Sequence, residues 1–195
     1  LWSNWYRQSK AHNVVTFDGG QGQRTDGYRE TIGRNGKINS FSPSATLDYV
    51  DADATPAYGG TLTLAKRQAW YLRDQDVVLI HDTLQAPLAH SFEWNLHAPV
   101  SIAASANGLL RITNNDRSLC IKSLGTSPTT YKPMTGSTPK TGSFEAHGAY
   151  VTAPAKSAEF LVLLDVGCKN PAVSVTMTAT GRTVHIGDQV IDIAK

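Results

Sequence analysis

Long apolar runs are missing from this 195-residue chain. The longest, such as Phe160 to Leu164 and Val77 to Ile80, fall far short of the ~20 residues that cross a bilayer as a helix, so no membrane segment is expected. Charge is scarce too: Asp, Glu, Lys and Arg make up 17% of the residues and sum to +2. The basic residues are scattered, with no Lys/Arg block and no basic stripe interleaved with aromatics, which argues against a nucleic-acid partner. A small positive balance tolerates an acidic ligand without demanding one. Cysteine is limited to Cys120 and Cys168, each on or beside an apolar segment. Two buried thiols and one disulfide fit this placement equally, and neither Cys has a second Cys or a His at metal-ligand spacing. The N-terminus, Leu1-Trp2-Ser3-Asn4-Trp5-Tyr6-Arg7, lacks the basic region, apolar core and cleavage site of a secretory signal. Opening without Met and on two tryptophans, it reads as a piece of a longer protein or as a processed N-terminus.

What is present is a strand-and-turn texture, with apolar residues in short bursts between Gly, Ser, Thr and Asp clusters. Asn13 to Phe17 is rich in β-branched and aromatic residues and is stopped by Asp18-Gly19-Gly20, a strand entering a turn. Gln21 to Ser44 is polar, bears several glycines and has no period; it reads as a long loop or loose hairpin. Ala65 to Leu72 and Val77 to Ile80, joined by Asp74-Gln75-Asp76, predict a β-hairpin. Ser91 to His97 alternates most cleanly: Phe92, Trp94 and Leu96 face a core, and Ser91, Glu93, Asn95 and His97 face solvent or a partner. Further strands are expected at Leu109 to Thr113, Ser118 to Lys122, Ala149 to Thr152, Phe160 to Asp165, Val173 to Ala179, Thr183 to Ile186 and Val190 to Ile193. The Ser/Thr/Pro/Gly-rich interval Thr126 to Gly142 is expected to loop over the surface. Strands at steady spacing, with the same character throughout, predict one all-β domain over residues 1–195, an antiparallel β-sandwich.

Few residues carry chemistry by pattern alone. Asp48, Asp51 and Asp53 near the turn at Pro56 lack the spacing of a calcium loop and read as local turn formers. His81 and His97, on neighbouring predicted strands, are placed to approach each other if the strands pair, yet without a third ligand they make a poor metal site. His12, leading into the first strand, is by type more often a structural histidine than a ligand. No Gly-x-Ser-x-Gly elbow or phosphate-cradling loop occurs. No catalytic residue is assigned.

The run from Trp5 to Gly19, Trp5-Tyr6-Arg7-Gln8-Ser9-Lys10-Ala11-His12-Asn13-Val14-Val15-Thr16-Phe17-Asp18-Gly19, resembles the aromatic-Arg, small residue, Ala-His-Asn, strand, Asp-Gly signature of the heparinase II/III-like polysaccharide lyases, which include oligo-alginate lyases. Three later blocks follow in that family's order: Asp53-Ala54-Thr55-Pro56-Ala57-Tyr58, the hairpin from Arg67 through Val77 to Leu84, and Phe92-Glu93-Trp94-Asn95-Leu96-His97. The resemblance implies a supersandwich-like C-terminal β-sandwich that stands beside an N-terminal α/α-toroid domain absent from this chain. The cleft between the two cuts uronic-acid-containing polysaccharides by β-elimination. It also implies a zinc ion held by three protein ligands, of which His12 matches one; the other two, and the family's catalytic Asn, His and Tyr, are expected upstream of Leu1. Arg7 and Arg24, cations beside the first strand and its loop, are the candidates for meeting a uronate carboxylate. The resemblance thus implies one wall of a cleft, inactive alone, in a periplasmic or secreted lyase, with an exposed sheet edge or apolar patch near residues 1 to 17 prone to self-association. The competing expectation is a non-catalytic carbohydrate-binding or interaction module, which exposed Trp2, Trp5 or Tyr28 would favour as a sugar platform.

Overall fold

The computed structural model describes residues 5–24, 31–125, 127–134 and 145–194. The strands are β1 (Val15–Phe17), β2 (Lys37–Ser42), β3 (Leu47–Asp53), β4 (Leu64–Leu72), β5 (Val77–His90), β6 (Phe92–Ala98), β7 (Ile102–Ala104) and β8 (Leu110–Asn114). They continue with β9 (Arg117–Ser123), β10 (Thr129–Met134), β11 (Ala146–Thr152), β12 (Ala155–Val166), β13 (Val173–Thr178), β14 (Gly181–Ile186) and β15 (Gln189–Ala194). The strand order is β1-β6-β11-β10 in a four-stranded sheet, β2-β3-β4-β5-β12-β9-β8-β7 in an eight-stranded sheet and β13-β14-β15 in a three-stranded sheet. The pairings are antiparallel, and the predicted hairpin pairs Leu72 with Val77 and Leu64 with Gln85.

Period-2 alternation explains how one large sheet serves two cores. Along β5 and β12, Leu84, Ala86, Phe160 and Val162 point to one side and pack against Val15, Phe17, Phe92, Trp94 and Tyr150 of the four-stranded sheet. The alternate residues Val77, Leu79, Leu161 and Leu163 point to the other and meet Val184, Ile186, Ile191 and Ile193 of the three-stranded sheet. The result is three layers with the eight-stranded sheet in the middle, which accounts for the nearly continuous apolar run from Phe160 to Leu164.

Four expectations change. Gln21 to Ser44, read as loop, contains β2, whose six residues are all exposed and so carry no alternation. The interval Thr126 to Gly142 contains β10; residues 135–142 of it lie outside the described residues. Both faces of β6 are covered, with Glu93 4% and Asn95 1% exposed. Finally, His81 of β5 and His97 of β6 sit in different sheets, because the chain leaves the large sheet between His90 and Phe92.

The expected edge near the N-terminus is occupied rather than open. β1 is the edge of its sheet, but Val15 to Phe17 are buried, Phe17 and Gln21 exchange backbone hydrogen bonds, and the Tyr58 hydroxyl donates to the Val15 carbonyl at 2.7 Å. An apolar cavity of about 320 Å³, lined by Val15, Ile38, Ala65 and Leu84 among others, opens beside it, and β2, an exposed edge strand of the large sheet, presents Ile38 and Phe41 more than half exposed.

Cys120 and Cys168 form a disulfide across 48 residues, tying β9 to the turn after β12. Closing a loop of that length removes chain entropy from the unfolded state worth about 3–4 kcal/mol. Replacing both cysteines by serine is expected to lower the unfolding free energy by about that amount, read as a fall in the urea midpoint with a steeper slope, because the uncrosslinked unfolded chain exposes more surface.

Candidate functional site

The four sequence blocks quoted above converge on β1 and the segment preceding it. Asp82, 3% exposed, lies between the two larger sheets. A buried carboxylate needs donors, and Asp82 has three: Arg67 gives Nε at 2.7 Å and Nη2 at 2.9 Å, and the Trp94 indole of the opposite sheet gives Nε1 at 3.0 Å. Burial acts to lower the Arg67 guanidinium, and the Asp82 carboxylate more than offsets this, so Arg67 stays charged. Arg67 Nη1 also donates to the Asn13 carbonyl at 3.1 Å.

On the outer face of the four-stranded sheet a second buried carboxylate, Glu93, accepts the Thr16 hydroxyl at 2.5 Å and the backbone N–H groups of Gly19 and Gly20 at 2.7 and 2.9 Å. The turn that aims those two N–H groups needs φ of +85° and +98°, which glycine adopts without strain. The Thr16 oxygen in turn accepts Asn95 Nδ2 at 2.7 Å, and Asn95 Oδ1 accepts His147 Nε2 at 3.0 Å. The donors therefore run in one direction, from His147 through Asn95 and Thr16 to Glu93.

His97 ends this row. Its Nε2 donates to the Lys10 carbonyl at 2.9 Å and its Nδ1 meets Glu145 Oε1 at 2.5 Å, while its backbone N–H donates to Asn13 Oδ1 at 2.8 Å. Its ring stacks on His147 with centroids 4.1 Å apart, and the Trp5 edge covers both rings. Asn13 and Lys10 are thus pinned to β6 from two sides. Between them His12 turns outward, exposed, with Nε2 donating to the Tyr6 carbonyl at 2.8 Å.

The other expected site residues lie around the same corner. Arg7 is exposed, next to Tyr6. Gln23 donates its N–H to Ser9 Oγ at 2.7 Å, and Arg24 follows, exposed, with its backbone N–H on the Ala57 carbonyl and its side-chain stem against Gly59. Trp5 is 3% exposed, which removes it as a sugar platform; Trp2 and Tyr28 lie outside the described residues. Asp48 pairs with Arg73, Asp51 with Lys66, and Asp53 caps the Thr55 N–H, so the three acids serve local structure.

No group of three His, Cys, Asp or Glu side chains is placed to hold a metal among the described residues. His12 is one imidazole, and its Nε2 is engaged, so these residues do not by themselves fit a zinc ion. Sequence reasoning missed Glu93 and Asn95 as buried groups and gave His147 and Glu145 no role. The polar half of β6 was the available signal, but nothing local says that residues 5–13 fold back over it.

His147 is buried, and burial first, then the charges near His97 and Lys10, push its pKa down to about 4. Its Nδ1 has no partner. In the unfolded chain it titrates near ~6.5, so the unfolded state binds the extra proton between that value and about 4. Stability contributed by this residue is complete above that window and lost as pH falls through it, on the order of 2–3 kcal/mol. Denaturant titrations from pH 7 to 4 are expected to show this fall, and His147→Gln is expected to flatten it.

The model of a family described as heparinase II/III-like, C-terminal, matches residues 1–166. No curated protein matches the sequence. Among solved structures, heparan sulfate lyase HepC from Pedobacter heparinus superposes with a TM-score of 0.74 at 18% identity, over 98% of this chain and 31% of that one. A heparinase III described as the BT4657 gene product gives 0.74 at 15% identity over 98% and 31%. Another heparinase III gives 0.72 at 11% over 97% and 30%. At these identities the likeness is one of fold, and the chain spans less than a third of the length of each of these proteins.

Proposed function

Since the chain belongs to the heparinase II/III-like C-terminal family, we propose that it forms one wall of the cleft of a polysaccharide lyase acting on uronic-acid-containing chains, and that it is inactive alone. The observation that carries this reading is the double anchoring of residues 10–13. Asn13 is held by His97 and Arg67, and Lys10 by the His97 ring, so His12 stands on a backbone with little freedom to move, and Arg7 lies exposed before it. A rigid display of a cation and an imidazole at one corner suits the holding of an anionic substrate against a second domain, here an α/α-toroid.

In the proposed reaction a base removes the proton at C5 of a uronate, the electron pair forms the C4–C5 double bond, and the C4–O bond breaks with protonation of the leaving oxygen. Neutralising the carboxylate makes C5–H acidic enough to lose. Arg7 and Arg24 are assigned to that carboxylate, and the proton-transfer groups to the toroid. His12 is the one ligand this chain would give to a zinc ion whose other two ligands come from sequence before residue 1, and no step is routed through it. A periplasmic or secreted location is supported by the Cys120–Cys168 disulfide, since such bonds persist in oxidising compartments. No helix among the described residues is long and apolar enough to cross a membrane. The rival reading, a carbohydrate-binding module, loses Trp5 from its aromatic platform through burial.

Incubated alone with alginate, heparan sulfate and hyaluronan, the folded chain is expected to produce no ultraviolet absorbance of an unsaturated uronate; a rise would mean that it carries its own catalytic groups. Binding of heparan sulfate oligosaccharides to the chain is expected to weaken about tenfold in the Arg7→Ala/Arg24→Ala variant, as removal of charge-assisted hydrogen bonds requires. Unchanged affinity would remove both arginines from the substrate wall.

A further inference from the structure

Beyond the large sheet, on the side away from His12, the rows of β4, β5 and β12 change character halfway along. Trp70, Leu79 and Leu161 lie under the three-stranded sheet; the same rows continue as Gln68, Thr83, Gln85 and Ser157, which are half-buried or exposed where that sheet ends. At the boundary stands Arg182 of β14, 7% exposed. Its Nη2 donates to Glu159, and Glu159 is also bonded to His81 Nε2. Burial pushes the Glu159 carboxyl up, but His81 and Arg182 together hold it below its ordinary range. The other terminal nitrogen of Arg182, Nη1, is buried and has no hydrogen-bond partner. An unsatisfied buried cationic donor is costly.

Arg182 borders a cavity of about 400 Å³ between the two sheets. The cross-strand pairs Gln85–Ser157 and Thr83–Glu159 line it. The side chains of Thr83, Gln85 and Ser157 make no hydrogen bond among the described residues. An unpaired cationic donor beside a row of unpaired hydroxyl and amide groups defines the ligand that would satisfy both: one carboxylate and several hydroxyls. No Phe, Tyr or Trp ring lines the cavity among the described residues, so a neutral sugar would lack a broad stacking surface, and Glu159 penalises a dianion such as phosphate.

We propose that this cavity binds a uronate-bearing saccharide unit, its carboxylate accepting from Arg182 Nη1 and its hydroxyls pairing with Thr83, Gln85 and Ser157. The choice of saccharide rests on the acidic-polysaccharide reading above; the site itself is separated from the His12 corner by two sheets. Nη1 is shielded in this structure, so seating requires a side chain to move. Met177 is opposite Arg182 in the strand register, 53% exposed, and lines the same cavity; its unbranched thioether chain adapts readily.

Titration of the chain with sodium glucuronate, followed by amide chemical shifts with glucose as the neutral control, tests this. Saturable shifts are expected on β5, β12 and β14, with glucose binding weaker by about tenfold or more. Arg182→Gln is expected to reduce affinity by a similar factor. Because that variant also unpairs Glu159, the surface double variant Gln85→Ala/Ser157→Ala, checked for an unchanged circular dichroism spectrum, is expected to weaken binding several-fold as well. Absence of saturation, equal binding of glucose, or shifts confined to the surroundings of Arg7 and Arg24 would each overturn the site. The Arg7→Ala/Arg24→Ala variant is expected to retain glucuronate binding here, so failure of this site and failure of the cleft-wall reading give different results.

Discussion

Burying a carboxylate without donors costs more than a folded domain of this size can absorb, and Asp82 and Glu93 are two of the carboxylates that this chain buries. Asp82 and Glu93 stand on adjacent strands at the crossing from the large sheet to the four-stranded one, 3% and 4% exposed. Asp82 takes its donors from Arg67 and Trp94, which obliges β4 and β6 to approach the same point from opposite layers. Glu93 takes its donors from Thr16, Gly19 and Gly20, which obliges β1 to lie beside β6 and to turn immediately after Phe17. Apolar burial would tolerate several registers of β1 against β6. These hydrogen bonds tolerate one, because a one-residue slip would aim Thr16 into the apolar core and Val15 at a carboxylate.

The same requirement explains why the segment before β1 is ordered at all. Trp5 to Asn13 contains a 3-10 turn, Ser9–Ala11, with no buried residue of its own. What holds it is polar: Arg67 on the Asn13 carbonyl, His97 on Asn13 and Lys10, and Gln23 on Ser9, with Trp5 as its one apolar anchor over the two stacked histidines. A segment held by its backbone carbonyls and by Asn13 leaves its remaining side chains to point elsewhere. His12 and Arg7 are exposed because their neighbours do the anchoring, and that division of labour makes the segment suited to display.

The layering was legible in the sequence wherever one face of a strand met a core. The hairpin from Ala65 to Ile80, the strand at Phe92 and the two-sided apolar run at Phe160 follow from period and composition. β2 was not legible because all six of its residues are exposed, which erases the alternation on which a strand reading depends, and β10, half-buried at Thr129, Tyr131 and Met134, hides in Ser/Thr/Pro composition. The fate of Glu93, Asn95 and His97 could not be read from β6 alone, since their cover comes from residues about 80 positions earlier, as the Gly20–Glu93 and Lys10–His97 separations show. The pairing of His97 with His147 rather than His81 is equally non-local; it depends on which sheet each strand joins. Cys120 and Cys168 were legible as buried but not as bonded, because their approach is set by the register of β9 on β12.

The middle sheet shows why a sandwich of this design can carry surfaces on both outer sides. A strand buried on one face is free to vary the other, but β5 and β12 are covered on both, so variation is confined to where the small third sheet ends. Four of the apolar residues of β14 and β15 reach the rows of Leu79 and Leu161, and beyond them the next residues on those rows are His81 and Glu159. A polar row placed directly against an apolar one under a sheet edge must be neutralised at the boundary, and Arg182 does this by crossing to Glu159. Yet a guanidinium has five donors in a fixed plane, more than one shared carboxylate can accept. An arginine used to close such a boundary therefore leaves a donor over, and in this chain Arg182 borders a cavity whose lining side chains Thr83, Gln85 and Ser157 are half-buried or exposed polar groups.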